Sequence, residues 1–334
     1  MFKNISVFLT AAILIFSLAF CGSVSPSGSG LKVVVTIFPI YDWVINIIGE
    51  SNSGVDISLL LDSGVDPHSF QPSAEDIMKI SICDLFIYVG GESDGWVNDA
   101  LKEVSNKEMQ VINLLEVLGD SAKEEEFIEG MQEHDHDHKH LDNNEEEHEH
   151  HGDDLLEYDE HVWLSLRNAS VFVDSISLAL ENIDPDNAES YKINSESYKE
   201  KLISLDNDYL NIVSQSRTKT LLFGDRFPFI YLVDDYGLNY YAAFAGCSAE
   251  TEATFETVIF LAEKVDELSL KAVMTIDGSD QKIAKTIIEN TITKDQKILT
   301  LDSIQSTTIK DAENGATYLS IMQDNLEVLR EALN

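Results

Sequence analysis

Residues 184–216 read DPDNAESYKINSESYKEKLISLDNDYLNIVSQS, and after the opening Asp184-Pro185 pair this stretch contains neither glycine nor a further proline. Asp-Pro supplies a capping residue and a proline suited to the first turn of a helix. No two-residue alternation follows, and Leu202, Leu205, Tyr209, Ile212 and Val213 recur at helical spacing. A helix of ~30 residues, rising 1.5 Å per residue, is about 45 Å long, enough to cross a whole domain and to join two bodies rigidly.

The chain on the N-terminal side alternates strand and helix. Residues 32–38 (KVVVTIF) form a continuous β-branched run ended by Pro39, as expected of a strand buried on both faces. Helical spacing over 41–48 follows, then strand 55–61, helix 73–80, strand 84–89, helix 95–104, strand 110–114 and, further on, helix 167–180. On the C-terminal side strands are expected at 219–223, 239–244, 271–276 and 297–301. Helices are expected at 228–235, 253–267, 281–289 and 316–333. Strand-helix-strand units of this length imply parallel sheets with right-handed crossovers. The expectation is an α/β protein of two four-stranded parallel-sheet lobes, 31–184 and 218–334, joined by a long rigid backbone helix at 185–217, with a cleft between the lobes.

At 334 residues the chain accommodates two such domains. Sixty acidic against 22 basic residues give a net charge of −38. That excludes nucleic acid as a partner, because phosphate binding needs a basic surface, and it argues against docking on anionic lipid. The N-terminus reads as an export signal over 1–21: Lys3 precedes an uncharged apolar run at 5–20, shorter than the ~20 residues of a membrane span. Leu18-Ala19-Phe20-Cys21 resembles a bacterial lipobox, with Phe20 where a small residue is usual. Anchoring on the outer face of the cell membrane through a lipidated Cys21 is expected, a plain periplasmic or secreted protein being the alternative. Residues 22–30, rich in Ser and Gly, would tether that cysteine to the first strand. Cys83 and Cys247 then remain, one in a buried-strand context and one in a loop; Cys83 reads as core, and whether the two pair is open.

Seven of the nine histidines, His134, His136, His138, His140, His148, His150 and His151, lie inside a tract that carries 18 acidic and 2 basic residues over 120–160, several of them alternating with Asp or Glu. Imidazole is the commonest neutral ligand of zinc, and the acids attract cations. Segment 120–157 has too little apolar surface to offset the entropy of ordering, so a disordered, weakly metal-collecting loop is expected. The other two histidines, His68 and His161, stand beside loop signals at the ends of apolar runs. Ligands of open α/β sheets bind beyond the carboxyl ends of strands. Four places meet that rule: Asp66-Pro67-His68-Ser69-Phe70 ahead of a capping-box pattern at Ser73-Ala74-Glu75-Asp76; His161; Gly224-Asp225-Arg226; and Asp277-Gly278-Ser279-Asp280. Two imidazoles and two carboxylates drawn from both halves would make a four-ligand site for Zn²⁺ or Mn²⁺.

The Asp66-Pro67-His68 motif, His161-Val162-Trp163-Leu164-Ser165, the long helix and Tyr236-Gly237-Leu238 together resemble the cluster A-I solute-binding proteins of bacterial ABC importers. Those proteins capture zinc or manganese between two α/β lobes on a backbone helix. The resemblance covers nearly all of the mature chain, and the acidic His-rich insertion is similar to that of the zinc branch. It implies a monomer with no catalytic activity that carries Zn²⁺, or alternatively Mn²⁺, to the importer's permease in the membrane. It implies His68 and His161 as metal ligands, with Asp66 and Glu160 orienting the rings through their other nitrogens. Trp163, Phe70 and Tyr41 would wall the cleft. A third ligand, His or Glu in the family, is implied after the first strand of the second lobe. Counting back from Tyr236-Gly237-Leu238 without a gap places Arg226 there, and Arg cannot coordinate a cation; a one-residue shift selects Asp225. For the fourth ligand both Asp277 and Asp280 qualify, Glu250 and Glu252 reading as ordinary loop acids. Two other functions compete with this reading. A zinc hydrolase would need an open coordination position with a general base, and the helical His-Glu-x-x-His signature is absent. A surface adhesin leaves no sequence signature.

Overall fold

A computed structural model of the chain describes residues 30–49, 54–64, 66–132, 158–247 and 252–334. Strand β1 (Leu31–Val35) is the hub of the first sheet, its Val33, Val34 and Val35 buried as a β-branched run on a two-sided sheet requires. It pairs in parallel with β2 (Val55–Leu59) and with β3 (Leu85–Tyr88), and β4 (Gln110–Asn113) adds to β3, giving the order β2-β1-β3-β4. The crossovers are α1 (Phe38–Ile48), α2 (Ala74–Ile82) and α3 (Val97–Ala100), and the short α4 (Leu114–Leu118) follows β4. Pro39, expected only to stop the strand, lies in the first turn of α1, where its missing N–H leaves no bond unmade. Ser73 and Asp76 form the capping box of α2 that their spacing predicts.

The chain then forms α5 (Leu166–Ile183) and the long α6 (Ala188–Gln215). One stripe of α6 is buried: Tyr191, Ser195, Tyr198, Leu202, Leu205, Tyr209 and Val213, at steps of three and four. Its first half is held to α1, where Tyr198 donates from its hydroxyl to Asp42 Oδ2 at 2.9 Å and Asn194 donates to the Ile47 carbonyl at 3.0 Å. Its second half serves the other lobe. Tyr209 donates to the Met322 carbonyl at 2.6 Å and stacks on Tyr236 with ring centroids 4.9 Å apart.

The second sheet repeats the first. Strand β5 (Thr220–Phe227) pairs in parallel with β6 (Asn239–Ala245) and β7 (Ala272–Ile276), and β8 (Lys297–Leu301) adds to β7, in the order β6-β5-β7-β8. Helices α7 (Ile230–Tyr236), α8 (Phe255–Glu267), α9 (Lys282–Asn290), α10 (Ile309–Glu313) and α11 (Tyr318–Ala332) complete the lobe. Strand β5 runs four residues beyond the expected end at 223. Its register against β6 shifts between Phe223 and Arg226, so Asp225 and Arg226 sit in a bulged strand and not in a loop after it.

A single apolar cluster runs through both lobes, from Val33 through Trp43, Trp163 and Tyr209 to Met274 and Leu329. Polar bonds cross with it. Trp163 donates from Nε1 to the Ser303 carbonyl at 2.8 Å, and Tyr318 donates to the Trp163 carbonyl at 2.6 Å. A smaller cluster, including Leu222, Phe244 and Leu261, lies under α8 and α9. Residues 120–132, expected to open the disordered tract, are placed against the second lobe. The Tyr231 hydroxyl accepts from the Lys123 amide at 3.0 Å and donates to the Asp159 carbonyl at 2.9 Å, and the Gln132 amide donates to the Ala243 carbonyl at 3.0 Å. The histidine comb, the export signal with Cys21, the tether through residue 29, and Glu250 lie outside the described residues. Among the described residues no helix is long and apolar enough to cross a membrane.

Candidate metal centre

His68 is aimed by a turn in the loop that follows β2. Asp66 accepts the His68 amide on Oδ1 at 3.0 Å, and Pro67 opens the 3-10 turn Pro67–Ser69. The ring then has one nitrogen held: Nδ1 is 2.7 Å from Ser93 Oγ and 3.8 Å from Glu160 Oε2, while the buried Nε2 has no hydrogen-bond partner among the described residues. His161 precedes the 3-10 turn Val162–Leu164 and is wholly buried. Asp159 Oδ1 accepts its amide at 2.8 Å and its Nδ1 at 3.1 Å. A carboxylate only accepts, so Nδ1 carries the proton and the partnerless Nε2 carries the lone pair. The two rings lie 5.5 Å apart, centroid to centroid. A buried polar atom left without a partner costs ~1–3 kcal/mol, and two such nitrogens side by side are explained by a ligand that binds both.

Burial, then the neighbouring His161, push the His68 imidazole down to about 4, so it is neutral and able to ligate at physiological pH. Burial raises the Glu160 carboxyl, although Ser93 donates its amide to Oε1 at 2.8 Å. Gly91, at φ +83°, makes room for that carboxylate: a Cβ there would stand 2.4 Å from Glu160 Oε1.

The expected orienting groups are partly exchanged for others. Ser93 and Asp159, which the sequence reading missed, hold the two Nδ1 atoms, while Asp66 fixes the His68 backbone and takes Arg226 on its other oxygen at 2.6 Å. Burial alone would raise the Asp66 carboxyl, and the guanidinium of Arg226 overrides it and holds it below the usual carboxylate range. The signal for Asp159 was its place two residues before His161, a spacing that lets one carboxylate oxygen meet both the amide and the ring.

On the facing lobe, Asp225, Asp277, Asp280 and Arg226 line a cleft of about 560 Å³ that has His68 on its other wall. Each of the three carboxylates already accepts bonds from its own lobe. Asp225 takes the amides of Arg226 at 2.9 Å and Ile276 at 3.4 Å. Asp277 takes the amide and hydroxyl of Ser303 on Oδ1 at 2.7 and 2.6 Å, and the Ser306 hydroxyl on Oδ2 at 2.6 Å. Asp280 is exposed, takes the Lys282 amide at 2.9 Å and pairs with the Lys282 ammonium, whose hydrogen bond lowers its carboxyl. The fold therefore brings His68 and His161 together and leaves Asp225, Asp277 and Asp280 on the opposite wall.

A different residue of the second lobe comes close. Cys247, in the turn after β6, offers a sulfur that lies with a His68 nitrogen and a Glu160 oxygen all within 4.8 Å of one another. Cys247 and Cys83 are both free thiols. Cys83 is the core residue expected, its thiol donating to the Ile80 carbonyl at 3.3 Å and pushed up to about 12 by burial. Burial, then Asp159, Glu125 and Glu160, also push the Cys247 thiol up.

Two lobes of one topology on a common spine, open between the ends of their strands, define a solute-binding protein of the rigid-spine class. The chain belongs to the family of ZnuA, the periplasmic component A of a zinc-uptake complex, whose model matches residues 33–332. It is 31% identical over 304 residues to the zinc-binding protein AdcA of Streptococcus pyogenes serotype M6, a match spanning 90% of this chain and 55% of that one. The chain thus spans about half the length of that streptococcal relative. To the high-affinity zinc uptake system protein ZnuA of Bacillus subtilis (strain 168) it is 30% identical over 339 residues, covering 100% of this chain and 99% of the other. Among solved structures, the Zn(II)-bound ZnuA-like domain of Streptococcus pneumoniae AdcA matches with a TM-score of 0.68 at 26% identity, over 92% of this chain and 99% of that domain.

Proposed function

We propose that this protein captures Zn²⁺ outside the cytoplasm and hands it to the membrane permease of an ABC importer, with the Nε2 atoms of His68 and His161 as the first two ligands. The observation that carries this reading is the pair of buried, partnerless Nε2 atoms, each on a ring held by its other nitrogen. Relatives named for zinc binding and zinc uptake support it. The expected export signal over 1–21 agrees with it, and a lipidated Cys21 would tether the protein to the outer face of the membrane, a periplasmic or secreted protein being the alternative. The role is one of binding and transfer without catalysis. Manganese is the weaker cargo, because it prefers oxygen donors to imidazole.

Metal content of protein purified without a tag or added metal, followed by calorimetric titration with Zn²⁺ and Mn²⁺, tests the proposal. One tightly held zinc per chain is expected, lost in both His68→Ala and His161→Ala. A wild-type chain that takes up no zinc tightly, or that prefers manganese, would refute it.

A further inference from the structure

The place where the family resemblance puts the second lobe's ligand is taken by residues that do not serve. Arg226 cannot coordinate a cation, and its guanidinium is bound to Asp66 Oδ2 at 2.6 Å. Asp225 lines the cleft with its carboxylate already engaged by its own lobe, accepting the Arg226 and Ile276 amides. One strand over, β6 runs parallel to β5 and delivers Gly246-Cys247 to the same end of the sheet. A Cβ on Gly246 would lie 2.9 Å from the Phe227 carbonyl oxygen, 3.0 Å from Asp159 Oδ2 and 3.3 Å from His161 Cε1, so the strand end comes in against His161 because glycine stands there. The next sulfur then falls within 4.8 Å of ligand atoms of His68 and Glu160. The position of Cys247 is fixed by its own amide, which donates to Glu125 Oε1 at 2.9 Å. The cysteine alone would mean little. The independent sign of a ligand is His161, wholly buried, its ring edge against Gly246 and its Nε2 without a partner among the described residues.

We propose that Cys247 is the metal ligand contributed by the second lobe, its thiolate completing with His68 Nε2, His161 Nε2 and a Glu160 carboxylate oxygen a four-donor site for Zn²⁺. This rests on the zinc-capture reading of the same cleft. On binding, the S–H bond breaks, the sulfur's electron pair forms the S–Zn bond and the proton leaves to solvent; nothing is oxidised or reduced. Tetrahedral zinc with bonds of about 2.0–2.3 Å sets its donors ~3.4–3.7 Å apart, so the His68, Glu160 and Cys247 atoms, already within 4.8 Å of one another, close by about 1 Å on the ion. A thiolate among the donors also selects the cargo, since soft sulfur favours zinc over manganese.

X-ray absorption at the zinc edge of the one-to-one complex should show a single sulfur neighbour at about 2.3 Å. The cobalt(II)-substituted protein should show a thiolate-to-metal charge-transfer band in the near ultraviolet. Cys247→Ala should lose both signals and weaken zinc binding by more than the ~100-fold that loss of an outer supporting group reaches. Cys247→His should regain affinity without the sulfur signal, which shows that the site still folds. Asp225→Ala should lose less than Cys247→Ala, and the reverse ranking would overturn the assignment. Zinc bound one-to-one with only nitrogen and oxygen neighbours would overturn it too while leaving zinc capture intact. A wild-type chain with no tight zinc would remove both.

Discussion

At the scale of single residues, the site depends on which nitrogen of each imidazole is free. Asp159 decides this for His161, because its Oδ1 holds both the amide and Nδ1 of that residue. Asp159→Ala should therefore leave the ring present but unguided and weaken zinc binding by ~10–100-fold, the usual effect of removing such a partner. Competition titration against a zinc chelator measures this, and an affinity equal to wild type would show that packing alone orients the ring. His68 and His161 were legible in the sequence because seven of the nine histidines belong to one compositionally distinct tract, which left two to explain. Ser93, Gly246 and Cys247 were not legible as site residues. Their roles come from where β6 and the loop after β3 end in space, which no local pattern encodes.

At the scale of elements, α6 was the most legible part of the chain, since its buried stripe repeats over 28 residues. Short elements were invisible for the complementary reason: the five residues of α4 are too few to display a period. The extension of β5 through Gly224-Asp225-Arg226 was hidden because a bulge interrupts the alternation that marks a strand. The spine itself is open to test at Ser204, an exposed position in mid-helix. Ser204→Pro should destabilise the protein by ~3 kcal/mol or more through a lost helix bond and a ring clash, whereas Ser204→Ala should be neutral or slightly stabilising. Urea unfolding curves rank the two, and equal midpoints would mean that α6 bears little of the load. The contact of α6 with α1 should also respond to pH. Burial raises the Asp42 carboxyl to about 6 although Tyr198 donates to it. Because this folded pKa exceeds the unfolded value of ~3.9, the contribution of Asp42 is fully present below about pH 4 and is lost as pH rises through 6. The loss amounts to at most ~3 kcal/mol, and Asp42→Asn, which keeps an acceptor for Tyr198, should remove it. Melting temperatures of metal-free protein between pH 5 and 7.5 should fall less steeply for Asp42→Asn than for wild type; parallel curves would count against Asp42.

At the scale of the whole molecule, the two lobes share one apolar cluster and several bonds, among them Trp163 to Ser303, Tyr318 to Trp163 and Arg226 to Asp66. Repeated topology made the pair of lobes readable from the sequence, but the shared core was not, because it joins residues such as Trp43 and Tyr318 whose rings meet 5.3 Å apart only after folding. The histidine comb lies outside the described residues, and the chain on either side of it is described. Its stem is fixed on both sides, by the Gln132 amide on Ala243 and by the bridge between Glu124 and Tyr158, and neither anchor includes His68 or His161. Deleting residues 133–151 leaves six residues, 152–157, to span from Gln132 to Tyr158, a reach of up to ~20 Å. The shortened chain should fold and keep one tight zinc, whose binding still raises the unfolding free energy by ~2.7 kcal/mol at a free concentration of 100 Kd. What it should lose are the weak sites that the seven imidazoles of this acidic tract provide, sites that fade as pH falls because protons compete for the same nitrogens. Equilibrium dialysis at rising zinc separates the two classes. Total bound zinc per chain should drop to one in the deletion and stay above one in wild type, and loss of the tight zinc on deletion would move the binding site from the cleft to the comb.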